Sequence, residues 1–198
     1  MPSKGETMKS LRKSLLIIVF IFLLFSCMEG DDDDDDDNAT DNNDDDDNFI
    51  NETWFDSTTG LTWQNDDVCF RDWNMARDHC RDLNLDDCHD WYLPTISELR
   101  SLIRECSNTA TDGTCGVTDN CLNSECQDDS CEGCINGDGP GLDGRYWPSE
   151  LNGEGWSYWS RSLVSDDGGL NAWDVNFAKG NVGFKIVSAG RCVRCVHK

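Results

Sequence analysis

Past an amino-terminal stretch of different character, apolar residues along the chain first come in short alternating bursts. Thr53-Trp54-Phe55 and Leu61-Thr62-Trp63 flank the turn-rich Asp56-Ser57-Thr58-Thr59-Gly60, which predicts a short β-hairpin. Phe70, Trp73, Ala76, Cys80 and Leu83 then recur at helical spacing and predict an amphipathic helix over residues 71–83. Asp90-Trp91-Tyr92-Leu93-Pro94 is predicted extended, the conformation preferred ahead of a proline. Thr95 caps a second helix, with Glu98 three residues on completing a capping box. That helix directs Ile96, Leu99, Leu102 and Ile103 inward.

From Cys106 to Gly144 the apolar content collapses, and Cys115, Cys121, Cys126, Cys131 and Cys134 fall among Gly, Asp, Asn and Ser. Such a loop cannot pack a core of its own and needs crosslinks. The last third returns to strands. Trp156 to Arg161 is one, and Trp173, Val175 and Phe177 alternate with Asp174 and Asn176 in another. Lys179-Gly180-Asn181 turns the chain, Val182, Phe184 and Ile186 alternate again, and Arg191 to Val196 closes. Two helices, a long cysteine-rich loop and a terminal antiparallel sheet define an α+β domain.

The amino terminus is organised differently. Lys9, Arg12 and Lys13 precede an unbroken apolar run of eleven residues, Leu15 to Phe25. A spanning helix needs roughly 20 apolar residues, so this run has the length of a removable secretory segment. Leu24-Phe25-Ser26-Cys27 resembles a bacterial lipobox, in which the thiol is acylated and the chain cut before it. Residues 1–26 are therefore expected to be a lipoprotein signal peptide and Cys27 the lipid attachment. Met28, in place of an aspartate, does not specify inner-membrane retention. The expected location is the outer membrane or cell surface of a Gram-negative bacterium. Residues 27–48 contain twelve aspartates and no base, and are expected to form an extended, disordered tether.

The remaining residues, 49–198, are the length of one domain. They carry 25 acids and 12 bases, a formal −13. With no basic stripe, nucleic acid is a poor partner; cations, basic proteins and glycans stay open. Eleven cysteines follow Cys27. In an exported chain that density reads as disulfides, and the odd count implies one thiol unpaired or shared between molecules. The competing chemistry is zinc, held by Cys131-x-x-Cys134 and Cys192-x-x-Cys195. Positions three apart on a strand point to opposite faces, so Cys192 and Cys195 suit separate crosslinks better than one metal.

Several stretches together carry a family resemblance. Asp90-Trp91-Tyr92-Leu93-Pro94-Thr95-Ile96-Ser97-Glu98-Leu99-Arg100-Ser101-Leu102-Ile103 resembles the signature of the Lcl C-terminal-like domain. Cys115-Gly116-Val117-Thr118-Asp119, Tyr146-Trp147-Pro148, Tyr158-Trp159-Ser160, Ala172-Trp173-x-Val175-x-Phe177 and Val193-Arg194-Cys195-Val196 fit the same family in order. The resemblance implies a C-type-lectin-like fold and a bridge from the first helix to the last strand, which maps to Cys80 and Cys195. Two departures stand out: Arg145 and Gly155 lie where relatives carry a further cysteine pair, and Cys192 replaces a common aromatic.

A lectin-like fold presents variable loops on a rigid base, which suits binding, although fold alone does not give function. The expected function is a surface-displayed ligand-binding or adhesion module, non-enzymatic, held to the membrane through its lipid and contacting a glycan or a surface protein. Trp63, Trp73, Trp91 and Trp173 read as core; Trp147, Trp156 and Trp159 are the candidate ligand-binding aromatics. Asp166, Asp167, Asp174 and Asn176 are candidate oxygen ligands for calcium, and Asp138 and Asp143 share that ambiguity. Two other classes compete. One is a cysteine-based oxidase akin to the formylglycine-generating enzymes, needing a reactive pair such as Cys192 and Cys195. The other is a purely structural envelope protein. No Gly-x-Ser-x-Gly elbow, phosphate loop or His-Glu-x-x-His occurs.

Overall fold

A computed structural model describes residues 52–86, 88–153 and 156–198. The expected signal peptide, Cys27 and the acidic tether lie outside the described residues. Strands β1 (Thr53–Asp56) and β2 (Leu61–Gln64) form an antiparallel hairpin with Trp54 opposite Trp63. The turn closes where Gly60 N–H donates to the Asp56 carbonyl at 2.8 Å, with Gly60 in the left-handed region at φ +71°.

A strand that helical spacing had masked follows. Phe70 and Arg71 belong to β3 (Val68–Arg71), and helix α1 runs Trp73–Asp82. Asp72 sets the boundary: its backbone is extended and its carboxylate accepts from the Met75 N–H, the geometry of an N-cap. Helix α2 (Ile96–Arg100) carries the complete capping box. Thr95 Oγ1 accepts from Glu98 N–H at 3.1 Å, and Glu98 Oε2 accepts from Thr95 N–H at 2.8 Å. The helix is shorter than its apolar pattern, so Leu102 and Ile103 are buried from the turn beyond it.

The irregular segment that follows contains three single 3-10 turns, Ser124–Cys126, Asp129–Cys131 and Leu142–Gly144. Strands β4 (Ser157–Leu163), β5 (Asn171–Asn176) and β6 (Asn181–Ile186) then form a meander. The closing stretch, which reads as one strand, divides into β7 (Arg191–Val193) and β8 (Val196–His197). β7 enters a five-stranded sheet of order β3-β7-β4-β5-β6, and β8 pairs with the hairpin in the order β1-β2-β8. The larger sheet is mixed rather than antiparallel throughout, because β4 and β7 run parallel with Tyr158 opposite Cys192.

That sheet has a core on each face. Consecutive residues Tyr158 and Trp159 enter different clusters, as do Ala172 and Trp173, and Cys192 and Val193. One cluster holds Trp63 and the apolar residues of α2, the other Ala76 and Cys80 of α1. A strand covered on both faces loses its polar alternation, and Tyr158, Trp159 and Ser160 are all fully buried.

Five disulfides fasten the described residues. Cys80–Cys195 ties α1 to the two-residue link between β7 and β8, and Cys69–Cys192 ties β3 to β7. Cys106–Cys134, Cys115–Cys131 and Cys121–Cys126 fasten the irregular segment. The four sulfurs that zinc would need go to four different disulfides, so that reading is withdrawn. Cys88 is buried within the core cluster on the α1 face.

Candidate functional site

Two buried arginines hold the loops. Arg100 donates to the carbonyls of Thr109 and Ala110, both at 2.9 Å, and to that of Val117. It pins the start of the irregular segment onto α2. Arg194 donates to the carbonyls of Gln64, Asn65 and Asn152, and its guanidinium lies 5.0 Å from the Trp147 ring. Burial pulls the pKa of both guanidinium groups down from the ordinary value. Both lie within the family-signature stretches, but the sequence alone assigned neither a structural role. One signal was available, since Arg100 is four residues from Ile96 and therefore on its buried face.

Beside Arg194, Tyr158 donates its hydroxyl to the Asp67 carboxylate. Burial raises its phenol well above the ordinary value, against the pull of Arg194. Gly153 is bound to this arrangement: at φ +134° a Cβ there would lie 2.9 Å from the Arg194 guanidinium.

The candidate aromatics separate. Trp147 and Trp159 are fully buried and are core residues, not ligand contacts. Trp147 packs on Tyr158 and Phe177 with ring centroids 5.6 and 5.4 Å away. Trp159 points to the α1 face of a doubly covered strand. Trp156, one residue before β4, is 63% exposed and has the Arg145 guanidinium 5.8 Å from its ring. Arg145 itself is only 8% exposed, so a fixed cation backs one face of the indole.

The candidate calcium ligands do not converge. Both Asp166 oxygens accept from Ser124, through its backbone N–H and its hydroxyl. Asp167 accepts from the N–H groups of Gly169, Leu170 and Asn171, which makes it a turn former. Asn176 Oδ1 accepts from Ala178 N–H at the other end of β5, about 17 Å along the strand from Asn171. Asp174 is buried in mid-strand, 2.7 Å from Arg191 Nε. Each oxygen set serves a local donor, and the four residues are not one cation site. Asp138 and Asp143 are both exposed in the glycine-rich loop, Asp143 with φ at +54°.

Asp174 yields a pH prediction. Burial raises its carboxyl above the ordinary value, outweighing the hydrogen bond and charge of Arg191. A folded-state pKa above the unfolded one makes the folded chain bind its proton more readily. Stability should therefore rise as pH falls through that range and be lower above it. Asp174→Asn removes this dependence, so wild type should gain on the variant as the pH is lowered. Urea denaturation across acid to neutral pH checks it; a gap that widens in the variant's favour on acidification would be the wrong sign.

The reactive pair needed by an oxidase is not a pair. Cys192 is bonded to Cys69 and Cys195 to Cys80, and both lie in the core. Among the described residues, the one acid-and-sulfur group of metal-ligating geometry is Asp67, Cys69 and Cys192, two of which are joined in that disulfide.

What remains open to a ligand lies at the Phe177–Ala178 corner. Phe177 N–H donates to the Trp156 carbonyl at 2.7 Å, and Tyr146 N–H donates to the Phe177 carbonyl at 2.8 Å. Gly137 N–H donates to the Ala178 carbonyl, while Tyr146 Oη donates to the Ile135 carbonyl at 2.7 Å. Around that framework Trp156, Leu142 and Ile135 are exposed. A separate open groove of about 510 Å³ lies between the β1–β2 turn and the loop, lined by Phe55, Asp56, Arg104, Glu105, Pro140 and Pro148. Its floor is the Asp56–Arg104 ion pair at 3.5 Å.

With this geometry in place, comparison with known proteins adds one positive result. The family model described as the Lcl C-terminal domain matches residues 52–197. No curated protein matches the chain.

Proposed function

The chain belongs to the Lcl C-terminal domain family, and from that premise we propose that it is an exported lipoprotein whose domain is a non-enzymatic, lectin-like binding or adhesion module. Cys27 is its anchor, the acidic stretch its spacer, and the outer membrane or cell surface its place of display. Five disulfides support export, because such bridges persist in oxidising compartments.

The observation that carries the binding reading is Trp156. A large aromatic left 63% exposed is backed by a nearly buried arginine, and its carbonyl is fixed by the Phe177 N–H at 2.7 Å. A preorganised aromatic contact costs little entropy on binding. The test is a glycan array probed with the mature lipoprotein, with and without calcium, alongside Trp156→Ala. Truncating a central aromatic anchor should weaken any hit by about thirtyfold. An empty array in both conditions, or hits indifferent to Trp156, counts against the reading. Intact mass of the chain purified from membranes tests the anchor: acylation at Cys27 is expected, and an unmodified Cys27 overturns it.

A further inference from the structure

Charge in the domain is unevenly distributed. Residues 105–155 contain eleven acids and one base, Arg145; the rest of residues 49–198 holds fourteen acids and eleven bases. The loop thus carries −10 of the domain's −13, and its one cation is spent inward beneath Trp156. The same segment exposes bulky apolar side chains: Ile135 at 74% and Leu142 at 53%, beside Trp156. Singly exposed apolar residues are ordinary. These three are linked through a short run of hydrogen bonds, because Arg145 N–H donates to the Leu142 carbonyl, and Tyr146 bonds both to Ile135 and to the corner that holds Trp156.

We infer that this surface docks a cationic protein segment carrying apolar side chains, which deepens the binding-module reading and rests on it. Each alternative occupant leaves part of the surface unexplained. An anionic polymer is repelled by the field of the loop. A neutral sugar uses the indole but gains nothing from ten net negative charges. A bound cation needs converging oxygens, and among the described residues no such group is found. A purely hydrophilic polycation would use the charge and leave Ile135, Leu142 and Trp156 idle. A basic, apolar segment uses both: charge steers it in, and the apolar side chains fix it. Lys179 is an exposed cation on the neighbouring turn, so the favourable approach is from the Asp138–Asp143 side of the corner.

The experiment uses the mature lipoprotein in detergent and labelled peptides of alternating Lys-Leu, Lys-Ser and Glu-Leu, read by fluorescence anisotropy at low and near-physiological salt. The acidic tether attracts any polycation, so Trp156 dependence is the diagnostic. Lys-Leu should bind best, and Trp156→Ser or Leu142→Ser should weaken it about tenfold while changing Lys-Ser less than about twofold. Removing Asp138 and Asp143 as asparagines should weaken Lys-Leu more than removing Asp78 and Asp82 of α1. Both tested apolar side chains are exposed, so far-ultraviolet circular dichroism and the disulfide map should match wild type. Lys-Leu binding no tighter than Lys-Ser, or indifferent to both apolar substitutions, overturns the inference. If glycans then bind through Trp156, the binding-module reading survives without it; if neither ligand class binds, both fall.

Discussion

Removing Cys69–Cys192 and Cys80–Cys195 together should unfold the domain, whereas removing either alone should leave it folded with reduced stability. Taken in isolation, each bridge joins residues far apart in sequence, at separations of 123 and 115. In the chain-entropy account each would contribute about 5 kcal/mol. They are nested, however. With Cys80–Cys195 closed, the loop left for Cys69–Cys192 runs only between positions 69 and 80 and between 192 and 195, about 14 residues. Closing that smaller loop is worth about 3 kcal/mol. A single deletion therefore costs about 3 kcal/mol, and the double deletion about 8 rather than 6. Domains of ordinary stability hold roughly 5–15 kcal/mol, so a loss of about 8 exceeds the lower part of that range, whereas a loss of about 3 exceeds none of it. Guanidinium denaturation of Cys69→Ala/Cys192→Ala, Cys80→Ala/Cys195→Ala and the quadruple variant measures the cycle. Simple additivity would show that the two bridges do not share a loop and would sink the nesting argument.

The same nesting explains how a chain with so long an irregular segment holds its surface loops in place. Its carboxy-terminal residues reach both sheets within six positions: Cys192 to β3, Cys195 to α1 and Val196 to β2. The other three bridges sit inside the segment that bears the negative charge, closing separations of 28, 16 and 5. Like charges that would swell a free loop are instead held at fixed spacing, and the field they produce becomes a property of the surface.

Where local chemistry decides the structure, the sequence was legible. The Thr95–Glu98 capping box, the hairpin around Gly60 and the β5–β6 turn depend on residues a few positions apart. β3 was hidden because Phe70 lies three residues before Trp73 and so fits the helical period; what rules it out of the helix is Asp72 acting as the cap. Division of the closing strand was hidden for a different reason. Nothing local distinguishes Arg194 from a surface residue, and its role exists only when Gln64, Asn65 and Asn152 are brought to it. The tryptophans show the same limit. Trp147, Trp156 and Trp159 lie within thirteen positions, yet only Trp156 is exposed, because both faces of β4 are covered by elements distant in sequence. A strand buried on two sides has no alternation from which to tell a core aromatic from a contact.

Arg194 is the single side chain whose loss should cost most. It is fully buried, donates to carbonyls from two separate segments, and lies against the rings of Trp147 and Tyr158. Replacing a buried charge by an apolar side chain can be neutral when both partners of an ion pair are removed. Here the acceptors are backbone carbonyls, and no substitution at position 194 removes them. Arg194→Met fits the space but leaves these oxygens without their donor, at a cost of about 3–5 kcal/mol. Arg194→Lys keeps a charge and loses the planar fork that reaches Gln64, Asn65 and Asn152 together, so it should recover only part of that cost. Asn152, four residues before Trp156 in sequence, is further joined to Asn65 at 2.9 Å, so a loosened Arg194 should also soften the base of the proposed binding surface. Denaturation of the two variants together with Arg100→Met separates the effects. The Arg100 change should free residues 109–117 and leave the Trp156 corner rigid, while the Arg194 changes should speed amide exchange around Asn152 and weaken Trp156-dependent binding. A methionine variant as stable as wild type would mean that the carbonyls find water or other donors, and that the buried guanidinium is not what joins the two segments.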